Sequence, residues 1–409
     1  MSRRGSPLPL IERRLTPIGG PGFGVAIALA AMATGLLLGG FLFIPFDSAP
    51  TDGYATLFQE GFGTRRGLGD TLVRAAPLIF IGLGTIITWR AGFFFLGFQG
   101  CLLIGATGSA LVALAAADGR VLDWAPTSVL IPLTLVAGAV AGGIWSGIVG
   151  YLKARHDGNE VLLSLMMNFV AAFLLNYLVS GPMRATGALP QTERFDESAL
   201  LPLLLGPSNN LHFGVIVAVL LVGVVAGVFR LTALGYDLSA MGHNPAAAHY
   251  GGIDIAKRTI QAAVLGGALA GLAGWSQVLG VQYRLLDGLD TTTGFEGIVA
   301  ALLGGLTPVG TAVSSFLLGG LSVGAQVMQR RSGIPASMAQ VIQGLIVLAI
   351  LASGPLRYYK VNLRAVFTGG VRGLGGGRSN TPPAGPSTPA DPDAGPARAP
   401  AGATPEPGA

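Results

Sequence analysis

Charge is what this sequence has least of. Asp, Glu, Lys and Arg together make up 11% of its 409 residues, where a soluble globular domain carries about 25%. A chain so poor in charge has too little polar surface to cover a fold in water. A soluble protein is thereby excluded, and an integral membrane protein remains. Cysteine is nearly absent. Cys101 stands alone, which rules out an intrachain disulfide and a cysteine-built metal site. The four histidines are scattered along the chain without metal-ligand spacing. No Walker-type phosphate loop and no HExxH motif occur, so an ATP-hydrolysing or proteolytic enzyme is not expected, and no cofactor is called for. Carboxylates inside the apolar runs are few, so the chain of membrane acids that a proton-driven carrier uses is missing.

What is there is apolar and small. Hydrophobic residues make up 51% of the chain and glycine contributes 64 residues. A bilayer core of about 30 Å takes about 20 apolar residues as helix. That ruler predicts an all-α, polytopic membrane protein with ten spans. They fall near 24–46, 71–89, 92–117, 127–150, 160–180, 211–229, 259–281, 294–306, 309–328 and 336–353. The run at 24–46 is longer than the ~7–15 residues of a signal-peptide core and reads as a first span. The third span is interrupted by glycine and the eighth is short. "GGLTPVG", Gly304 to Gly310, joins spans eight and nine with almost no loop, as in a broken or re-entrant pair.

Around these spans the chain divides into a segment 1–23, a transmembrane domain 24–355, a basic segment 356–378 and a tail 379–409 rich in Pro, Ala and Gly. The tail is expected to be disordered, since it cannot bury enough surface to offset chain entropy. Ten spans put both termini on one side. If that side is the cytoplasm, the inner segments hold most Lys and Arg, including Arg13, Arg14, Arg90, Lys153, Arg155, Arg230, Lys257 and Arg258. This favours cytoplasmic N and C termini. The pair Arg330–Arg331 runs against the rule.

Small residues recur at helical spacing, as in Gly35/Gly39, Gly143/Gly147 and Gly267/Gly271. Such pairs let helix backbones approach closely in lipid, within one bundle or, less commonly, across a dimer seam. Polar side chains inside spans are the other candidates. Ser164, Asn168 and Asn176 share one face of the fifth span. They either bond to a neighbouring helix or line a solute path. Gln99, between Gly97 and Gly100, suggests a helix break at membrane depth or simple packing. Glu296 opens the eighth span, as an interfacial cap or a path residue.

"MGHNPAAAHYGGIDIAKR", Met241 to Arg258, interrupts two apolar runs. Asn244 followed by Pro245 is a helix start, because the amide accepts from free N–H groups and proline suits the first helical position. Gly251 and Gly252 can close the helix. Two turns alone are unstable in water, so this helix must lie on something. It is either an interfacial helix on lipid headgroups or a docking element for another protein, and alanine faces bind bilayers poorly.

At these residues the chain resembles the permease subunits of bacterial ABC importers, in the branch that handles ribose-like sugars, nucleosides and branched-chain amino acids. The pattern comprises Gly235, Ala240, Gly242, Asn244, Ala247, Ala248, Gly252 and Ile253. "NEVLLSLMMNF", "NYLVSGPMR" followed by "LPQTE", and "GFEGIVAALLGGLTPVG" extend the resemblance over about residues 70–355. "NEV" with "NYLVSGP" is most similar to the nucleoside and simple-sugar permeases. The resemblance implies two five-helix inverted repeats and a location in a bacterial plasma membrane. It implies that Gly242, Asn244, Pro245, Ala247, Ala248, Tyr250 and Gly252 form a coupling helix that docks into a separate ATPase subunit. The other implied partners are a second permease, identical or homologous, an extracytoplasmic substrate-binding lipoprotein and membrane lipid. Nucleic acid is not among them. One departure matters: where such permeases carry "FNIGAEGQ", this chain has "FFLGFQGC", so Phe95, Gln99 and Cys101 replace Asn, Glu and Gln. Phe95 is then expected either to stack on a base or sugar face or to sit in the core. Phe95, Gln99, Ser164, Asn168 and Glu296 are the candidate substrate path. The reading in another class is a secondary carrier of a small polar solute, driven by an ion gradient.

Overall fold

The structure is a computed structural model. It describes residues 11–13, 50–332 apart from 117–121, 123, 188, 205–209 and 290–291, scattered helical positions between 337 and 348, and 359–361. The chain divides into two units, Met1–Arg13 with Tyr359–Ala409, and Arg14–Tyr358. In the first, strand β1 (Ile11–Arg13) pairs antiparallel with β2 (Tyr359–Val361), Glu12 opposite Lys360. This strand pair is an addition to the all-α expectation. In the second unit the described elements are helices, with two isolated bridges.

These helices are α1 (Pro50–Phe58), α2 (Arg65–Arg90), α3 (Phe98–Ala115), α4 (Thr127–His156), α5 (Glu160–Ser180), α6 (Gly214–Leu231), α7 (Ala233–His243), α8 (Pro245–Tyr250), α9 (Ile255–Gln277), α10 (Thr293–Leu303) and α11 (Pro308–Ser332). Seven of them, α2 to α6, α9 and α11, are long and apolar enough to cross a membrane. They match seven of the ten expected spans. The expected spans at 24–46 and 336–353 lie outside the continuously described residues, as do the Gly35/Gly39 pair and the segments 356–378 and 379–409. The eighth is α10, whose 11 residues reach about 16 Å at 1.5 Å per residue, half of a bilayer core. The turn after it stores a positive φ at Leu306, 53°, and Thr307 caps α11 by accepting from Gly310 N–H at 3.2 Å. "GGLTPVG" therefore joins a half-length helix directly to a full one.

α9 packs most extensively along α4 and also lies against α2 and α3. Its contact with α3 and α4 is made backbone to backbone. A Cβ on Gly271 would run into the carbonyl of Gly138, and one on Gly105 would meet the Gly271 backbone. The Gly143/Gly147 and Gly267/Gly271 pairs both face this junction, so they serve packing within the bundle. Two polar groups buried here find partners across helices: Ser146 Oγ donates to Ala263 O at 2.7 Å, and Trp275 Nε1–H to Thr134 Oγ1 at 3.1 Å. α4, α5 and α6 are different in kind. Their outward faces carry Val140, Ile144, Phe173, Val219 and Leu220, all exposed. A helix that shows such a face in water is unstable, whereas lipid accepts it.

Candidate functional site

The polar interruption between α6 and α9 folds as two helices. α7 was not expected. Its signal was legible: Thr232 caps it, accepting from Gly235 N–H at 3.2 Å, and Leu234, Leu238 and Met241 follow at helical spacing, Leu238 and Met241 buried. Asn244 then stands in extended backbone and accepts from Ala247 N–H at 3.1 Å, with Pro245 in the first helical position. α8 closes with Gly251 N–H donating to Ala247 O and Gly252 N–H to His249 O, each at 3.0 Å. Of the two glycines only Gly252, φ 87°, is left-handed. Asp254 caps α9 at once, accepting from Lys257 N–H at 3.0 Å.

The first of these two helices, α7, rests on the end of α2. A Cβ on Gly242 would collide with the carbonyl of Arg90, and the Arg90 guanidinium lies 4.9 Å over the Phe229 ring of α6. Asp237 of α7 pairs with Arg258 of α9 at 2.6 Å. α8 is thus the outermost layer of a braced platform. Ala248 turns inward and is buried, so it seats the helix and is not on the free face. That face consists of Pro245, Ala246, Ala247, His249 and Tyr250, the last 93% exposed.

The second constellation is the break between α2 and α3. Gly92, φ 75°, turns the chain, and residues 93–97 run without helical bonds until α3 begins at Phe98, not at the expected 92. Backbone freed inside an apolar bundle must find other partners. The fifth expected span supplies them. Leu96 N–H donates to Ser164 Oγ at 3.1 Å, Gly100 N–H donates to Asn168 Oδ1 at 2.7 Å, and Asn168 Nδ2 donates to Leu96 O at 3.1 Å. Trp89 Nε1–H adds a bond to Phe95 O at 3.2 Å. The polar stripe of α5 therefore clamps the break. Asn159 caps α5, accepting from Val161 and Leu162 N–H, and Glu160 pairs with Lys153 at 3.3 Å.

The structure brings together only part of the candidate path. Gln99, Asn168, Phe169, Asp287, Phe295 and Leu103 line a cavity of about 260 Å³. Gln99 is buried and accepts from Gly294 N–H at 2.8 Å, which joins the starts of α3 and α10. Phe95 is fully buried between Phe93 and Phe98, ring centroids 5.8 and 5.0 Å away. It packs as core, with no face open to a solute. Ser164 is buried under the break. Glu296 does not line this cavity. It accepts from the Thr292 hydroxyl at 3.1 Å and faces Arg74 of α2 at 3.8 Å. A lining residue that sequence reasoning missed is Asp287, in the loop after α9. Asn176 Nδ2 donates to its Oδ2 at 2.7 Å. Nothing in the loop sequence pointed to this, since the two residues are far apart in the chain.

A larger cavity of about 560 Å³ lies at the end of the bundle remote from α8, lined among others by Arg66, Asp70, Arg74, Gln277 and Arg330. Here the exceptional pair is accounted for in part: Arg331 bridges to Glu60 at 2.8 Å. Among the described residues no group of His, Cys, Asp or Glu is placed to hold a metal ion.

Seven apolar helices, a clamped helix break beside a cavity, and a braced helix pair on one end define a multi-pass membrane permease. The family described as branched-chain amino acid transport system / permease component matches residues 67–351, and the chain belongs to it. It is 34% identical to the guanosine ABC transporter permease of Bacillus subtilis, over 83% of this chain and 96% of the relative. It is also 34% identical to the glucose ABC transporter permease of Haloferax volcanii, over 83% and 89%. A nucleoside ABC transporter permease of Lactococcus lactis is 30% identical over 80% and 90%. No solved structure matches the chain. The chain is therefore a permease subunit of an ABC transporter.

Proposed function

We propose that this permease forms the translocation path of an importer for a nucleoside or simple sugar. A binding lipoprotein delivers the solute, a second permease completes the path, and a separate ATPase subunit drives it. The α8 helix is the coupling element, and both termini face the cytoplasm with the ATPase. Ten spans in two inverted five-helix repeats are the architecture this reading entails. The observation that carries it is the short helix at 245–250. It is capped at both ends, packed against α7 and α9, with α7 resting in turn on α2, and exposed on its outer face. A helix too short to be stable alone yet rigidly mounted suits the transmission of force from a partner. Gln99 and Asn168 belong to the solute path, with the break they hold able to reshape it. Ser164 and Phe95 support that break, and Glu296 steadies the start of α10 against α2.

The test is uptake into proteoliposomes that contain the permease, its partner permease, the ATPase and the lipoprotein. Tritiated guanosine and tritiated glucose are the probes. Uptake of one of them that requires ATP and the ATPase is expected. Uptake that persists without the ATPase and follows an ion gradient overturns the reading in favour of a secondary carrier.

A further inference from the structure

Asp287 is the one charged residue among those described that line the 260 Å³ cavity. The geometry points to Asp287 as the residue that selects the cargo, by accepting both hydrogens of a vicinal diol on an uncharged ring-bearing solute. This rests on the reading that the cavity belongs to the solute path.

Three observations carry it. The carboxylate is held in place and still has capacity. Asn176 Nδ2 donates to Oδ2 at 2.7 Å and Gly288 N–H donates to Oδ1 at 2.9 Å. A carboxylate has about four lone-pair sites and accepts only. Each oxygen thus keeps one site, and the pair of remaining sites suits two neighbouring hydroxyls. A fork of this kind is how a carboxylate holds the ribose of a dinucleotide. Second, the loop is fixed. Asp287 N–H donates to Pro190 O at 3.2 Å, and Thr192 and Leu285 exchange bonds at 3.0 Å. The residue is therefore a fixed feature of the rim. Third, the remaining wall fits a flat ring. Phe169 and Phe295 are 60% and 45% exposed, and Leu103 and Leu175 complete an apolar lining. Exposed rings beside an acceptor pair suit a base or the apolar face of a sugar. A fixed negative charge in this apolar wall also disfavours phosphorylated forms of the same solute.

The test uses the complete complex in proteoliposomes, with tritiated guanosine and tritiated 2′,3′-dideoxyguanosine. The wild-type complex is expected to show a KM at least about tenfold lower for guanosine, the discrimination expected when hydrogen bonds to a charged group are lost. Asp287→Asn should remove that preference by raising the KM for guanosine while that for the dideoxy form changes little. Asp287→Glu should retain a partial preference. If vesicles take up glucose and not guanosine, the same comparison is run with 2,4-dideoxyglucose, which keeps no vicinal pair of hydroxyls. A wild-type complex that carries guanosine or glucose but does not prefer the diol overturns this assignment and leaves the functional reading standing, as does an Asp287→Asn variant that keeps the preference. Uptake of neither solute overturns the functional reading itself. Should Asp287→Asn fail to reach the membrane, Asp287→Glu decides: a preference unchanged from wild type overturns the assignment, because the lipoprotein then accounts for it.

Discussion

α9 and α5 are both apolar helices of spanning length, yet they are built on opposite plans. In α9, 78% of the most apolar window is buried within the protein, and in α5 only 17%. α9 runs "GGALAGLAG" through its middle, and α5 runs "LMMNFVAAFLLNY". In lipid, burying large apolar side chains gives no advantage over leaving them in the bilayer. Close backbone approach and satisfied polar groups are what hold helices together. The glycine-rich helix therefore goes to the centre and the bulky one to the edge. α5 still has a task, because its few polar side chains reach inward to hold the break before α3.

Substitutions along these helices can break or sharpen this contrast. The largest effect is expected for Gly271→Leu. The side chain has no space between the Gly138 carbonyl and the Gly142 backbone, so the cost goes well beyond the ~1–3 kcal/mol of ordinary core overpacking, which side-chain shifts relieve. Size-exclusion chromatography of a fluorescent fusion should show loss of the monodisperse peak. A normal peak would mean that the centre is loose. Next comes Asn168→Leu, which leaves Gly100 N–H and Leu96 C=O without their partner. At about 1–3 kcal/mol for each unpaired group, the melting temperature should drop clearly and uptake should fail. An unchanged melting temperature would mean that the clamp is dispensable.

The free face of α8 predicts a different outcome. Ala247→Trp should leave the melting temperature unchanged and abolish ATP-dependent uptake, whereas Ala248→Trp, at the buried position, should destabilise the fold. Equal behaviour of the two would remove the basis for treating one face as a docking surface. Asn244→Ala removes a cap and should cost about 1 kcal/mol, read as a small shift in thermal midpoint. The smallest effect belongs to Phe173→Leu on the exposed side of α5, 73% exposed. A shift within about 0.5 kcal/mol is expected there, and a larger one would indicate that this face meets protein.

Much of this was legible in advance. The length and composition of apolar runs located the seven described spans, and the Asn-Pro start and glycine end located α8, because both signals act within a few residues. α7 was missed although its cap and spacing were present, since attention to apolar runs passes over short helices outside the bilayer. The candidate path was legible only in part. Ser164 and Asn168 stood out as polar residues in lipid, but that they bond to the backbone at Leu96 and Gly100 depends on where α5 lies. Phe95 was open to two readings, and only its neighbours Phe93 and Phe98 decide for the core.

The sequence by itself determined that the chain lives in a membrane, where the seven described spans fall, and where its short capped helix begins and ends. These follow from local rules of hydropathy, helix length and capping, which need no knowledge of neighbours. Only the tertiary structure decided which helices are central, that Ala248 faces in while Ala247 faces out, and that Asp287 and Asn176 meet across the chain. Such facts depend on how helices pack on one another, in the last case between residues 111 positions apart, and in lipid no difference in hydropathy announces them.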